Sequence, residues 1–185
     1  MDIFLARQPI FNKNMDVYGY ELLYRNNNVK NLCQFFNAKE ASLEVIAASF
    51  VVIGLTKLTG GKKAFINFTE DLLQEEFATI LPKEDLIIEV LEDVEPTKEN
   101  VEACHNLVKA GYKIALDDFE YKAAYNDLIN ISSIIKVDFI NSSRAACKEL
   151  INKYKNSKIL FLAEKIETQE DFECALAMGY SLFQG

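Results

Sequence analysis

The sequence predicts an α/β fold, a modified (β/α)8 barrel of the TIM type that opens with an antiparallel hairpin. Apolar or alternating runs recur at near-even intervals. Segments with helical periodicity separate most of these runs, whereas only a short polar link joins the first two. The eight runs occupy residues 3–11, 17–25, 64–68, 86–91, 113–118, 134–139, 159–164 and 180–184.

The first two runs predict a β-hairpin. Only the polar stretch NKNMD separates residues 3–11 from residues 17–25. A parallel pair of strands needs a crossover of a dozen residues or more. The short link therefore predicts that these two strands are antiparallel.

The remaining six runs predict parallel strands joined by helices. They begin roughly 20–27 residues apart, which leaves room for a helix in each gap. Residues 100–111 place their apolar side chains on one helical stripe and end at Gly111. Residues 168–179 repeat this pattern, with Thr168 as a predicted N-cap and Gly179 as the end. An open doubly wound sheet is the alternative, but no Gly-x-Gly-x-x-Gly turn follows any run.

Length and composition predict a single domain over residues 1–185. Half of the 185 residues are hydrophobic, 26 % are charged, and no low-complexity tract occurs. Such a chain can bury one sizeable core, and disorder is not expected. A closed barrel should have a helix over its last strand. We therefore expect that this final helix is missing here and that the natural chain continues beyond Gly185.

Charge and cysteine usage narrow the choice of partners and compartment. The net charge of −8 argues against a DNA or RNA polymer, because proteins that bind the phosphate backbone carry a basic face. No signal peptide or membrane segment is predicted, since the longest apolar segment, residues 45–55, is about half a membrane span. We expect that segment to be a buried helix.

Four cysteines without a Cys-x-x-Cys pair are typical of free thiols in a cytoplasmic protein: Cys33, Cys104, Cys147 and Cys174.

Polar side chains mark the end of nearly every predicted strand. In a barrel, the C-terminal ends of the parallel strands meet on one rim, where barrel enzymes carry their chemistry. A single charged residue at a strand end is usually a solvated surface residue. A polar group on nearly every consecutive strand instead indicates a site. The set contains five carboxylates, two amides and one lysine: Glu21, Asn67, Glu89, Asp117, Asp118, Lys136, Glu164 and Gln184.

This combination of side chains indicates a metal site. Clustered carboxylates repel each other and need cations, and a ligand set of oxygen atoms alone suits Mg2+ or Mn2+. The sole histidine, His105, lies in a predicted helix away from the strand ends. Its position argues against a histidine-ligated zinc site and a Ser-His-Asp triad. Two-metal phosphodiester hydrolysis fits such a site, and a metal-assisted lyase or an enolase-type barrel fits almost as well.

The motifs along the chain resemble those of the EAL domain, a bacterial phosphodiesterase domain that opens cyclic di-GMP to linear pGpG. The resemblance covers essentially the whole chain. YELLYR is similar to the Glu-Ala-Leu signature, with Leu22 in place of the alanine. The other motifs come in the family's order: RQPIF before the signature, then INFT, EVLE, LDDF, IIKVD, AEKIET and FQG.

The resemblance implies a role for each matched residue. Two divalent cations, Mg2+ or Mn2+, would take their ligands from Glu21, Asn67, Glu89, Asp117 and Asp118. The residues implied in catalysis, around a water that attacks the phosphorus, are Lys136, Glu164 and Glu21. Contacts with cyclic di-GMP are implied for Gln8, Arg25, Glu167 and Gln184. Glu92 would stabilise the loop that follows the paired aspartates.

Two stretches depart from the family pattern. After DDF the family usually has a glycine-rich loop that helps to organise the second metal and the dimer interface, whereas residues 120–124 contain no glycine. Lys165 also stands where the Ala-Glu-Gly motif has its glycine. These departures resemble a subgroup in which the EAL domain precedes an HDOD domain, and many such members are thought to be weak or silent enzymes.

The resemblance leaves three functions open. The complete set of ligand and catalytic residue types favours an active cyclic di-GMP phosphodiesterase. The altered loop favours a cyclic di-GMP receptor or scaffold that turns over little substrate and acts through an attached HDOD-like domain. A barrel that serves only protein interaction is the third function. A homodimer is a further expectation, although family members often pair through the region that is altered here.

Overall fold

Eight strands close into one barrel, in the order in which they follow each other along the chain. The structure, a computed structural model, describes residues 4–25, 38–47, 54–75 and 77–185. The strands are β1 (Phe4–Asn12), β2 (Val17–Arg25), β3 (Lys63–Phe68), β4 (Leu86–Val90), β5 (Lys113–Leu116), β6 (Ile134–Asp138), β7 (Leu160–Glu164) and β8 (Leu182–Phe183). Strand β1 is antiparallel to both β2 and β8, and all other neighbours are parallel. The predicted barrel with its opening hairpin is confirmed, and closure excludes the doubly wound alternative.

Helices pack on the outer face of the strands and bury the larger of two apolar clusters. They are α1 (Ala38–Ala47), α2 (Leu55–Thr59), α3 (Glu70–Gln74), α4 (Lys98–Ala110), α5 (Asn126–Ile131), α6 (Arg144–Tyr154) and α7 (Gln169–Met178). Two short 3-10 turns cover Phe77–Ile80 and Ala123–Tyr125. The predicted helix ends are confirmed. Gly111 and Gly179 have left-handed φ of 101° and 109°, and the Thr168 hydroxyl accepts a hydrogen bond from the Asp171 amide.

The apolar segment 45–55 lies only partly within the described residues. Helix α1 ends at Ala47 and α2 begins at Leu55, and residues 48–53 lie outside the described part of the chain. Val45 and Ile46 are buried, as expected for a core helix. Among the described residues, no helix combines the length and the apolar character that crossing a membrane requires.

The predicted free thiols are found wherever the structure describes a cysteine. Cys104 and Cys147 are buried and Cys174 is half-buried, and none of the three forms a disulfide. Burial raises the pKa of the Cys104 thiol to about 12, so this side chain is chemically inert at neutral pH. Cys33 lies outside the described residues.

Inside the barrel, an apolar layer lies beneath a polar one. The apolar layer consists of Ile10, Phe65, Ile87, Ala115, Ile134, Leu162 and Leu182. Side chains along a strand alternate with a period of two, so the residue two positions closer to the rim belongs to the same interior face. Those positions carry Gln8, Asn67, Glu89, Asp117, Lys136, Glu164 and Gln184. The fold therefore places most of the predicted site directly above the apolar layer.

On β2, Gly19 occupies the position beneath the polar layer, two residues before Glu21. A Cβ atom at Gly19 would lie 2.8 Å from both the Phe65 ring and the Lys63 carbonyl oxygen. The fully buried Phe65 ring therefore fills the space that a side chain on β2 would take. Glycine is required here by close approach to the neighbouring strand.

Replacing Gly19 tests this packing. We expect Gly19→Ala to lower the free energy of unfolding by about 1–3 kcal/mol, because the added methyl group overpacks the interior. Urea unfolding followed by circular dichroism measures the change. The double variant Gly19→Ala with Phe65→Leu should recover part of the loss, since the smaller side chain opens space. An unchanged unfolding midpoint in the single variant would refute the close approach.

Candidate active site

The Lys136 ammonium lies at the centre of the polar layer among four carboxylates. Its Nζ atom lies 2.5 Å from Asp117 Oδ1, 2.7 Å from Glu89 Oε1, 3.1 Å from Glu164 Oε1 and 3.5 Å from Glu21 Oε2. Lys136 is 1 % exposed and Glu89 is fully buried. Water and salt therefore screen these interactions far less than those at the surface.

Burial and neighbouring charge act on this cluster in opposite directions. Burial lowers the pKa of Lys136, but the surrounding carboxylates outweigh it and hold the pKa well above its ordinary value. Burial raises the pKa of Glu89 well above its usual range, although Lys136 opposes the shift. Burial also raises the pKa of Glu164 to about 7, again against Lys136. Lys136 thus stays charged at neutral pH, while Glu164 has the pKa that suits a general base.

Backbone hydrogen bonds beyond the strand ends hold two of the site residues. The Asp117 amide donates to the Val90 carbonyl at 3.0 Å, and the Gln184 amide donates to the Ala163 carbonyl at 2.9 Å. The side chain of Gln184 then donates to Glu21 Oε2 at 2.6 Å. Parallel pairing therefore continues past the strands and fixes the height of both residues on the rim.

A cavity of about 200 Å³ opens at this cluster. It is lined by Gln8, Glu21, Asp117, Asp118, Lys136, Glu164, Lys165 and Gln184. The structure thus brings together most of the residues to which the motifs assigned a role. Lys165, which entered the sequence argument only as a departure from the family, lines the same cavity.

Five of the predicted site residues lie outside this lining. Glu89 is fully buried and contacts Lys136. Asn67 pairs in register with Glu89 on the neighbouring strand and faces a smaller cavity of about 120 Å³. Glu92 is exposed and shares a cavity of about 250 Å³ with the loop after the paired aspartates. Glu167 is exposed and lines another cavity of about 280 Å³. Arg25 ends β2, but its side chain lies outside the described part of the chain. Their roles stay predictions.

Asp138 is a rim residue that the sequence argument missed. One oxygen, Oδ1, accepts from the Ile140 and Asn141 amides at 3.0 and 2.8 Å, and the other accepts from the Asn141 side chain at 2.6 Å. Lys165 also donates to Asp138 Oδ2. In the sequence, its position at the end of IIKVD could have indicated Asp138 as a rim residue. In the structure it pairs in register with Glu164.

Two rim residues adopt a backbone conformation that favours glycine. Asp118 has φ of 38° and Lys165 has φ of 57°. The Lys165 ammonium lies 3.9 Å from Asp118 Oδ1. A positive φ costs glycine least, so the left-handed backbone at residue 165 supplies a physical reason for the glycine in the family motif.

The oxygen donors of the cluster fit a hard divalent cation. Four buried oxygen atoms of the site residues lack a hydrogen-bond donor: Glu89 Oε2, Glu164 Oε2, Asn67 Oδ1 and Gln184 Oε1. Glu89 Oε1 lies close to Lys136 but also lacks hydrogen-bond geometry. Unsatisfied buried oxygens are costly, and carboxylate and amide oxygens are the ligands that Mg2+ and Mn2+ prefer.

The same oxygens are not arranged as a ready-made metal cage. Within the described ranges, no three His, Cys, Asp or Glu side chains form a group that could hold a metal ion. The physical reason is that the carboxylates converge on the Lys136 ammonium. A bound cation would therefore compete with Lys136 for these oxygens.

Some known proteins are similar to this chain in sequence, and others are similar in fold. A family pattern described as "EAL domain" matches residues 2–185. YuxH, an uncharacterized protein of Bacillus subtilis (strain 168), is 37 % identical over 190 residues, which cover 100 % of this chain and 46 % of YuxH. Cyclic di-GMP phosphodiesterase CdgJ of Vibrio cholerae is 33 % identical over 184 residues, which cover 98 % of this chain and 43 % of CdgJ. The chain spans less than half the length of these two relatives.

Solved structures of BlrP1 from Klebsiella pneumoniae have the same fold. Its calcium complex with cyclic di-GMP is 23 % identical, with a TM-score of 0.78, and the match covers 100 % of this chain and 54 % of BlrP1. Its manganese complex with cyclic di-GMP is 25 % identical, with a TM-score of 0.74 and coverage of 100 % and 55 %.

The pH dependence of stability tests the anchoring of Asp138. Burial raises the pKa of this carboxyl, but hydrogen bonds from Lys165 and Asn141 outweigh it and lower the pKa to about 2 from the usual 3.8. A lowered folded-state pKa stabilises the protein above pH 3.8, and this stabilisation is lost as the pH falls through about 2. We expect Asp138→Asn to cost about 1 kcal/mol at pH 6, with solvent screening taken into account.

Chemical unfolding of the wild type and Asp138→Asn at several pH values measures this difference. The gap between the two proteins should narrow steadily below pH 4. The exposed Asp93 provides a matched control. The free energy of unfolding of Asp93→Asn should stay close to that of the wild type at each pH. A gap for Asp138→Asn that stays constant down to pH 2.5 would contradict the assignment.

Proposed function

This chain belongs to the EAL domain family, and we propose that it hydrolyses cyclic di-GMP to linear pGpG with two divalent cations, Mg2+ or Mn2+. One observation carries the proposal: the buried Lys136 ammonium and four carboxylates meet at a cavity on the C-terminal rim of the barrel. A family relative bears the name cyclic di-GMP phosphodiesterase. That name supports the choice of substrate.

The proposed metal ligands are Glu21, Asn67, Glu89, Asp117 and Asp118. When bound, the cations supply Lewis-acid stabilisation of the charge on the phosphoryl group and activate water for attack. The unpartnered buried oxygens of Glu89 and Asn67 support this assignment, because a cation would satisfy them. The calcium and manganese complexes of BlrP1 support divalent cations as a class.

Three residues carry the proposed proton chemistry and positioning. Glu164 accepts the proton of the attacking water, since its Oε2 atom is buried without a partner and its pKa is raised by burial to about 7. Lys136, which stays charged, stabilises negative charge that develops on the phosphate. Gln184 orients Glu21 through the hydrogen bond of 2.6 Å.

The rim of the cavity provides the proposed nucleotide contacts. Gln8 and Gln184 line the cavity and supply amide groups for hydrogen bonds. Arg25, at the end of β2, is proposed to contact a phosphate, because a guanidinium binds phosphate oxygens in a bidentate manner. Glu167 is proposed to contact the nucleotide, and Glu92 to stabilise the adjacent loop.

The second candidate function is a cyclic di-GMP receptor with weak or no turnover. The contact between Lys165 and Asp118 favours it, because an ammonium beside a proposed ligand opposes a cation. In this case the domain acts through an attached HDOD-like domain of the natural chain. Such a domain, a homodimer and a cytoplasmic location stay predictions. A barrel that serves only protein interaction has less support, since the site residues converge.

Turnover of cyclic di-GMP separates these functions. We expect linear pGpG to form with Mg2+ or Mn2+. In Glu21→Gln and Lys136→Met, kcat/KM should fall by about 10²-fold or more, because each variant removes a charge from the reaction centre. Product separation by chromatography measures the rates, and circular dichroism checks that each variant folds.

The matched controls are Glu102→Gln and Lys109→Met on the exposed face of α4, which should retain full turnover. Binding of cyclic di-GMP without product would favour the receptor instead. Absence of both binding and product would overturn both nucleotide functions and leave the interaction barrel.

The glycine-free loop provides a second test of catalysis. Residues 120–124 are exposed and directly follow the paired aspartates and Phe119. If this loop limits turnover by misplacing Asp118, a glycine- and serine-rich loop at 120–124 should raise kcat by about tenfold. A loop of the same length built from alanine and serine is the control. Unchanged turnover with the glycine-rich loop would exclude this loop as the limiting feature.

A further inference from the structure

Lys165 joins two carboxylates at the edge of the cavity. Its Nζ atom donates to Asp138 Oδ2 and lies 3.9 Å from Asp118 Oδ1. The side chain of Lys165 is 51 % exposed, and that of Lys136, the other lysine in the cavity lining, is 1 % exposed. Of the two lysines that line the cavity, Lys165 is therefore the one that solvent ions can reach.

Asp138 holds the Lys165 ammonium in place. Two backbone amides and the Asn141 side chain donate to the Asp138 carboxylate. A carboxylate with this many donors has little freedom to turn, so it provides a fixed anchor for the lysine. The ammonium is therefore held beside Asp118 more firmly than a solvated surface lysine would be.

The backbone supports the same pairing. Among the described residues that are not glycine, Met15, Asp118 and Lys165 have positive φ. Met15 lies in the turn between β1 and β2, whereas the other two residues form the pair at the cavity. Strained backbone at residues with a Cβ atom persists where the surrounding structure enforces it, often at functional sites.

We propose that Lys165 is a resident counter-ion of Asp118 that weakens the binding of a divalent cation at this carboxylate. The inference rests on the proposed function in one respect, that Asp118 is a metal ligand there. The ammonium competes for the carboxylate oxygens and repels a second positive charge. Lys165 acts through Asp118 and is a positioning residue.

Titration of the protein with Mn2+ alone, without nucleotide, tests the proposal. Isothermal titration calorimetry measures the affinity of the wild type and of three variants. Lys165→Gln removes the charge and keeps the Cβ atom, Lys165→Gly removes both, and Lys165→Arg keeps the charge. We expect Mn2+ to bind Lys165→Gln and Lys165→Gly about threefold to tenfold more tightly than the wild type, and Lys165→Arg to resemble it.

A second pair of variants makes the test specific to Asp118. In an Asp118→Asn background, adding Lys165→Gln should change Mn2+ affinity by less than about twofold, because the competing carboxylate is gone. Lys158→Gln is the matched control, since Lys158 is an exposed lysine away from the cavity, and it should bind Mn2+ like the wild type.

Several outcomes would overturn the proposal. The first is an Mn2+ affinity of Lys165→Gln that equals or falls below that of the wild type. The second is tighter Mn2+ binding in Lys165→Gly alone, which would assign the effect to backbone strain. The third is no Mn2+ binding by any variant. Failure of the proposed function is distinguishable. If the wild type neither binds nor hydrolyses cyclic di-GMP but Lys165→Gln still tightens Mn2+ binding, the counter-ion role stands and the function fails.

Discussion

Four carboxylates share the interior of this barrel because the Lys136 ammonium lies among them. A buried carboxylate without a partner loses its solvation and gains nothing in return. One ammonium cannot balance four negative charges. Burial raises the pKa of Glu89 and Glu164, neighbouring carboxylates add to the rise, and Lys136 opposes it only in part. Buried oxygen atoms of Glu89, Glu164, Asn67 and Gln184 also have no hydrogen-bond partner. This imbalance is the physical basis for proposing divalent cations at the site.

The apolar layer beneath the site makes this arrangement possible. Seven of the eight strands place a hydrophobic side chain inside the barrel, and β2 has Gly19 at that level. Two positions closer to the rim, the same face of every strand carries a polar group. This apolar layer lies directly beneath the polar groups and fills the lower interior with buried side chains. Gly19 shows how closely it is packed, because the Phe65 ring takes the space of the missing side chain. The site therefore rests on buried residues that do not line its cavity.

The polar layer and the rim are separate parts of the structure. The layer lies on the strands or, for Asp117 and Gln184, one residue beyond them, and its positions follow from hydrogen bonding between neighbours. The rest of the rim lies mostly in the loops, where Asp118 and Lys165 adopt left-handed backbone, and Asp138 at the end of β6 anchors the lysine. One chain can therefore keep all the site residue types of the family and still have a loop that differs from the family pattern.

The sequence by itself determined the barrel, the opening hairpin and the layer that contains Lys136. These features follow from local rules, since apolar spacing, a period of two and helix-ending glycines act over short stretches of chain. Only the tertiary structure decided which rim residues meet. Lys165 contacts Asp118 and Asp138, and Glu167 faces a different cavity from Glu164. Such contacts depend on backbone angles and side-chain directions in loops far apart in sequence, which no local pattern records.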